Sequence, residues 1–126
     1  MKVLIVDDDF FFQKGISFFL IDSGHEVLFA MHGQKALEVT EKNPDMDVII
    51  CDIDMPVMMG QDFIKAMDKS RFNKMPCVMM VSGMNNARLL LEKNGIQYDY
   101  FFEKPLDVNE FAKTFNAIAK QKNKSS

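Results

Sequence analysis

Apolar residues in this chain follow two rhythms. Five short runs are nearly continuous: KVLIVD (2–7), HEVLFA (25–30), DVIICD (47–52), PCVMMVS (76–82) and DYFFE (99–103). Four of the five lack the every-other-residue alternation of a half-exposed strand, which predicts strands covered on both faces. The stretches between them carry a helical period. Phe12, Ile16, Phe19 and Leu20 keep the i, i+4, i+7, i+8 spacing of one apolar stripe. Ala36, Leu37 and Thr40 mark a second helix closed by Asn43-Pro44, and Phe63, Ile64 and Met67 a third. Ala87 to Lys93 forms a fourth, stopped at Asn94-Gly95, and Val108, Phe111, Phe115 and Ile118 a fifth. Asp107 and Glu110 open the fifth in the manner of a capping box. Strands alternating with helices predict an α/β fold: a five-stranded, doubly wound parallel sheet with right-handed crossovers and helices on both faces.

In such a sheet, binding chemistry gathers at the carboxyl ends of the strands. Those ends hold Asp7-Asp8-Asp9, Asp52, Ser82-Gly83 and Glu103-Lys104-Pro105; only the second strand, ending near Ala30, brings nothing reactive. Clustered carboxylates repel one another unless a cation sits among them. Oxygen ligands without thiolate or imidazole suit a hard divalent ion, Mg²⁺ first and Mn²⁺ as the alternative. A lysine supplies a point charge for phosphoryl oxygens and a serine a hydroxyl. A carboxylate beside the metal can act as nucleophile and become an aspartyl phosphate.

Composition narrows the picture. The 126 residues suit one domain, expected over 1–120 with a polar tail or linker start at 121–126. A net charge of −3 offers no basic footprint for nucleic acid. No apolar run approaches the ~20 residues that span a bilayer, and the N-terminus turns acidic too early for a signal peptide. Cytoplasmic location, no membrane and no direct nucleic acid contact are therefore expected. Cys51 and Cys77 sit in apolar runs and read as reduced core thiols. His25 and His32 are too isolated for a metal site and read as surface or loop residues. Eleven Met and twelve Phe without a Trp suit either a core or an adaptable docking surface.

The stretches VLIVDDD, DVIICDIDMP followed by Gly60, VMMVSG and EKPLD together resemble the receiver domain of two-component response regulators, of the chemotaxis-regulator kind. The likeness covers residues 2–120. It implies a flavodoxin-like (βα)5 fold with strand order 2-1-3-4-5. It implies Asp52 as phosphoacceptor in a His-to-Asp phosphorelay, supplied by a histidine kinase or a histidine phosphotransfer protein. Asp7 and Asp8 would hold Mg²⁺ together with Asp52 and the backbone carbonyl of Asp54. Ser82 and Lys104 would take the phosphoryl oxygens. The Lys104–Pro105 peptide would be cis, and Phe101 would occupy the place of a switching aromatic. The output partner stays open, as does the choice between a monomer and a phosphorylation-dependent dimer. An acceptor of this kind is phosphorylated stoichiometrically and is not an enzyme.

Two departures matter. Met58-Met59 precede Gly60 where the family usually has an acid, and Ser82-Gly83 replaces its commoner Thr-Ala. Asp54 and Met84 flank the path of attacking water, and apolar Met84 predicts slow self-dephosphorylation. Phe10, Phe11 and Phe18 lie off the stripe of the first helix, so they read either as a broader core or as an exposed docking patch for a helical partner. Two rivals are weighed. Asp52-Ile-Asp54 matches the paired aspartates of haloacid-dehalogenase-type phosphatases, but Pro56 breaks that motif and the pair ends the third strand rather than the first. A degenerate receiver would have lost one of Asp7, Asp8, Asp52, Ser82 or Lys104, and all five are present.

Overall fold

The computed structural model describes residues 1–55 and 57–124. Strands β1 (Lys2–Val6), β2 (Glu26–Ala30), β3 (Val48–Asp52), β4 (Cys77–Ser82) and β5 (Tyr100–Glu103) alternate with five helices. These are α1 (Phe10–Asp22), α2 (Gly33–Lys42), α3 (Gly60–Ala66), α4 (Ala87–Lys93) and α5 (Val108–Lys124). The strands form one parallel sheet in the order β2-β1-β3-β4-β5. The order reverses at β1, so the crevice between the ends of β1 and β3 is the place where a ligand fits.

Successive residues of the central strands feed opposite cores. Val3, Ile5, Val48, Ile50, Met79 and Val81 pack with Ile16 and Leu20 of α1 and Phe111, Phe115 and Ile118 of α5. Leu4, Val6, Ile49, Cys51, Val78 and Met80 pack with Ala36, Phe63, Ile64, Ala87 and Leu91 of α2, α3 and α4. Both sets must be apolar, which is why the runs show no alternation. Each large side chain so buried contributes roughly 1.5–3 kcal/mol. The edge strands are barer, with Phe29 of β2 and Tyr100 of β5 exposed.

Local signals set the helix ends. Asp9 caps α1, its carboxylate accepting from the Phe11 and Phe12 amides. Asp107 accepts from the Asn109 and Glu110 amides at the start of α5. Gly95, at φ 63, takes the left-handed turn that ends α4.

Some expectations need correction. Val108 is 60% exposed and does not belong to the α5 core stripe. The histidines lie in loops, as expected, but each is engaged. His25 is half-buried, its ring edge-on to Phe115 at 5.1 Å and its Nδ1 2.8 Å from the Met1 amino group. His32 caps α2, its Nδ1 accepting from the Lys35 amide at 3.2 Å. Residues 121–124, read as tail, continue α5. Pro56, which bears on the phosphatase rival, and residues 125 and 126 lie outside the described residues. Cys51 and Cys77 are free thiols, and burial pushes both thiols up, Cys77 to about 12. Among the described residues no helix is long and apolar enough to cross a membrane.

Candidate functional site

Asp7 follows β1 directly and Asp52 ends β3, the neighbouring strand, so the sheet register sets their carboxylates side by side. Asp8 stands next to them, exposed. One carboxylate oxygen from each of Asp7, Asp8 and Asp52 lies within 4.8 Å of the others. Asp7 is only 1% exposed and Asp52 6%. Asp7 is already engaged: its Oδ1 accepts from the Asp9 amide and its Oδ2 from Lys104, both at 2.8 Å. Lys104 is placed by its backbone, whose amide donates to the Ser82 carbonyl at 2.9 Å. Its Nζ then reaches to 3.7 Å from Asp52 Oδ2.

The electrostatics follow from burial. Desolvation, helped by the neighbouring Asp7 charge, pushes the Asp52 carboxyl up to about 6, against the pull of Lys104 and of the Ile53 and Asp54 amides. Desolvation also raises Asp7, although Lys104 and the Asp9 amide act the other way. Burial works against the Lys104 ammonium, but Asp7 and Asp52 outweigh it and hold its pKa above the ordinary value. One lysine thus answers two buried acids, with a third acid beside them. The excess negative charge and the all-oxygen donor set fit a hard divalent cation such as Mg²⁺.

The opposite wall is made by β4 and β5. Ser82 is buried, and its Oγ accepts from the Met84 amide at 3.0 Å. A cavity of about 330 Å³ opens beside it, lined by Ser82, Met84, Arg88, Phe101 and Lys104. Phe101 is half-buried at this cavity, with the Arg88 guanidinium 4.9 Å from its ring centroid. The Lys104–Pro105 peptide is cis. Asp54 is exposed just beyond β3, and Met84 is 37% exposed. A larger cavity of about 780 Å³, against Lys74, Cys77, Asp99 and Lys122, lies at the amino ends of β4 and β5 and holds none of these groups.

Three supports complete the site, and the sequence marks only Gly60 among them, as the glycine that follows DVIICDIDMP. Gln13 is buried and its Nε2 donates to the carbonyls of Asp7 at 2.6 Å and Ala30 at 3.2 Å, tying α1 to two strand ends. A polar residue at a core position of α1 was the available signal. Gly60 presses on the loop after β3: its amide donates to the Ile53 carbonyl at 2.9 Å, and a Cβ there would collide with the Asp52 carbonyl oxygen. The third is Phe12, read as core, whose ring lies under the Lys104 ammonium.

Comparisons with known proteins agree with this geometry. Residues 3–116 match the response regulator receiver domain. The chain is 37% identical over 92 residues to the chemotaxis protein CheY1 of Helicobacter pylori, covering 71% of this chain and 74% of that one. It is 32% identical over 119 residues to the probable transcriptional regulator ycf29 of Pyropia yezoensis, covering 93% of this chain but only 52% of the relative, so it spans about half of that regulator. The structure of chemotaxis protein CheY4 from Vibrio cholerae superposes with a TM-score of 0.79 at 31% identity, covering 93% of this chain and 97% of that one. The N-terminal domain of an uncharacterized protein from Wolinella succinogenes, at 22% identity and a TM-score of 0.86, shares the fold. Sequence match, strand order and the acid-lysine edge converge: the chain belongs to the response regulator receiver domain family.

Proposed function

We propose that Asp52 is the phosphoacceptor of a His-to-Asp relay. One Asp52 carboxylate oxygen bonds to phosphorus as the P–N bond of a phosphohistidine breaks. The bonding pair stays on the imidazole nitrogen, and the ring leaves neutral when its other nitrogen carries the proton. Asp8, Asp52 and the Asp54 carbonyl would hold Mg²⁺, with Asp7 acting directly or through water; when bound, that ion offsets charge on the phosphoryl oxygens. Lys104 supplies the second positive charge and Ser82 a hydroxyl donor. The carrying observation is the trio of carboxylates within 4.8 Å beside one lysine at the switch point of the sheet.

The donor is a histidine kinase or histidine phosphotransfer protein, and the exposed aromatics of α1 (Phe10, Phe11 and Phe18) offer it an apolar seat. Ser82 moving toward the new phosphoryl group would bias a two-state equilibrium of the α4, β5 and α5 surface. The test is incubation with acetyl phosphate and Mg²⁺, followed by intact mass. Wild type is expected to gain one phosphoryl group and Asp52→Asn none. Equal labelling of both proteins, or repeated turnover of a phosphomonoester, would overturn the reading.

A further inference from the structure

The geometry points to Phe12 as a positioning residue for Lys104 in phosphoryl transfer, acting through its ring face; this rests on Asp52 being the phosphoacceptor. Lys104 Nζ stands 4.3 Å from the Phe12 ring centroid. The same nitrogen donates to Asp7 at 2.8 Å and lies 3.7 Å from Asp52. The ammonium is therefore held between a carboxylate in hydrogen-bond contact, a carboxylate just beyond it and an aromatic face. Phe12 is half-buried and touches the core formed with α5, so a bland packing role must be separated from this one.

The physical argument turns on what a ring face provides that an aliphatic side chain does not. The negative face of an aromatic ring attracts a cation, and more strongly when water is excluded. The attraction has no lone pair to align with. A cation on the ring can slide without losing it, whereas one on a carboxylate is fixed by its hydrogen bond. Phosphorylation needs such a slide. Lys104 must leave a position dominated by Asp7 and meet phosphoryl oxygens attached to Asp52. Phe12 holds the ammonium while the Asp7 hydrogen bond is given up and the phosphoryl oxygens are not yet met, and it bars water from one side. The α1 backbone fixes the ring, because the Phe12 amide is bound by the Asp9 cap at 3.2 Å.

With acetyl phosphate as the probe, an Asp52 oxygen bonds to phosphorus, the P–O bond to the acetyl group breaks, and acetate leaves with the pair. Phe12→Leu keeps an apolar side chain but removes the ring. Its labelling rate constant is expected to fall about three- to tenfold at saturating Mg²⁺, and Phe12→Tyr to restore most of it. In a Lys104→Met background the Phe12→Leu change should add nothing. By NMR, the ε-methylene protons of Lys104 should lie upfield in wild type and Phe12→Tyr and return to ordinary shifts in Phe12→Leu. Equal losses in the Leu and Tyr variants, or a Phe12→Leu loss that persists without Lys104, would reduce Phe12 to packing and overturn the inference. An unchanged rate in Phe12→Leu would overturn it too. If Asp52→Asn were labelled like wild type, the phosphoacceptor assignment itself would fall, which none of the Phe12 outcomes imitates.

Discussion

Asp52 carries its charge against its surroundings. Its carboxyl is pushed up to about 6 from an ordinary 3.8, with burial as the first cause and Asp7 as the second. A carboxylate with a raised folded pKa binds more protons in the native state than in the unfolded chain between those two values, so stability falls as pH rises through that window. Above about 6 the penalty is complete. In metal-free buffer at pH 7, Asp52→Asn should therefore be more stable than wild type by on the order of 1–3 kcal/mol. The gain should shrink as pH falls from 7 to 5. Urea melts of both proteins at the two pH values check this, and a constant difference would refute it. A second expectation at this scale concerns Met84. A partly exposed thioether two residues past Ser82 does not orient an attacking water. Phospho-Asp52 should persist for minutes or longer, and Met84→Ala should shorten that. A lifetime of seconds that Met84→Ala leaves unchanged would count against it. Asp7, Asp52, Ser82 and Lys104 were readable in the chain because each ends or follows an apolar run. The tasks of Phe12 and Gln13 were not, because they are defined by partners remote in sequence, Lys104 and Ala30; Gly60 showed as the glycine closing the third-strand loop, but its approach to the Asp52 carbonyl did not.

Helix α1 shows what an element adds to its residues. Its buried side holds Ile16 and Leu20, and its open side holds Phe11 at 84% and Phe18 at 67% exposure. Residues 11 and 18 are two turns apart on one face, so the aromatics form a stripe running away from the acid cluster. A helix keeps such a stripe bare only at a cost in solubility, which a partner covering it would offset. Phe11→Ser and Phe18→Ser should each slow phosphotransfer from a phosphohistidine donor by about tenfold, on the scale of an apolar anchor lost from an interface. Labelling by acetyl phosphate should stay unchanged. Equal loss with both donors would show that the stripe supports the fold instead. The period of α1 was legible, and so was the existence of aromatics off it. Whether they were core or surface was not, because a helical wheel does not say how far round the sheet reaches. The same limit placed Val108 in a stripe it does not join, since α5 turns toward the sheet only from Phe111 onward.

At the scale of the whole molecule, the fold assembles three acids and one lysine on a single edge and leaves their charge unbalanced. The unfolded chain separates Asp52 from Asp7 and Asp8 and has no such site. A divalent cation that fits the edge must then bind the native state and not the unfolded one, and mass action converts that preference into stability. At a Mg²⁺ concentration ten times its dissociation constant the gain is about 1.4 kcal/mol, or roughly 5 °C in melting temperature for a chain of this size. Asp8→Asn should lose most of it, because Asp8 is exposed and its removal costs the fold little. Protons compete for the same oxygens. The raised Asp52 carboxyl means the Mg²⁺ gain should be largest above pH 6 and fade toward pH 5. Asp52→Asn sharpens the test: it should melt higher than wild type in chelator yet gain less from Mg²⁺, so the two melting curves approach each other as the metal is added. A simple stabilising effect of ionic strength would move both proteins equally and would also appear with Na⁺ at matched strength. If Mg²⁺ raised wild type and Asp52→Asn by the same amount, the carboxylates would not be acting as its ligands, and the imbalance of charge at the sheet edge would need another explanation.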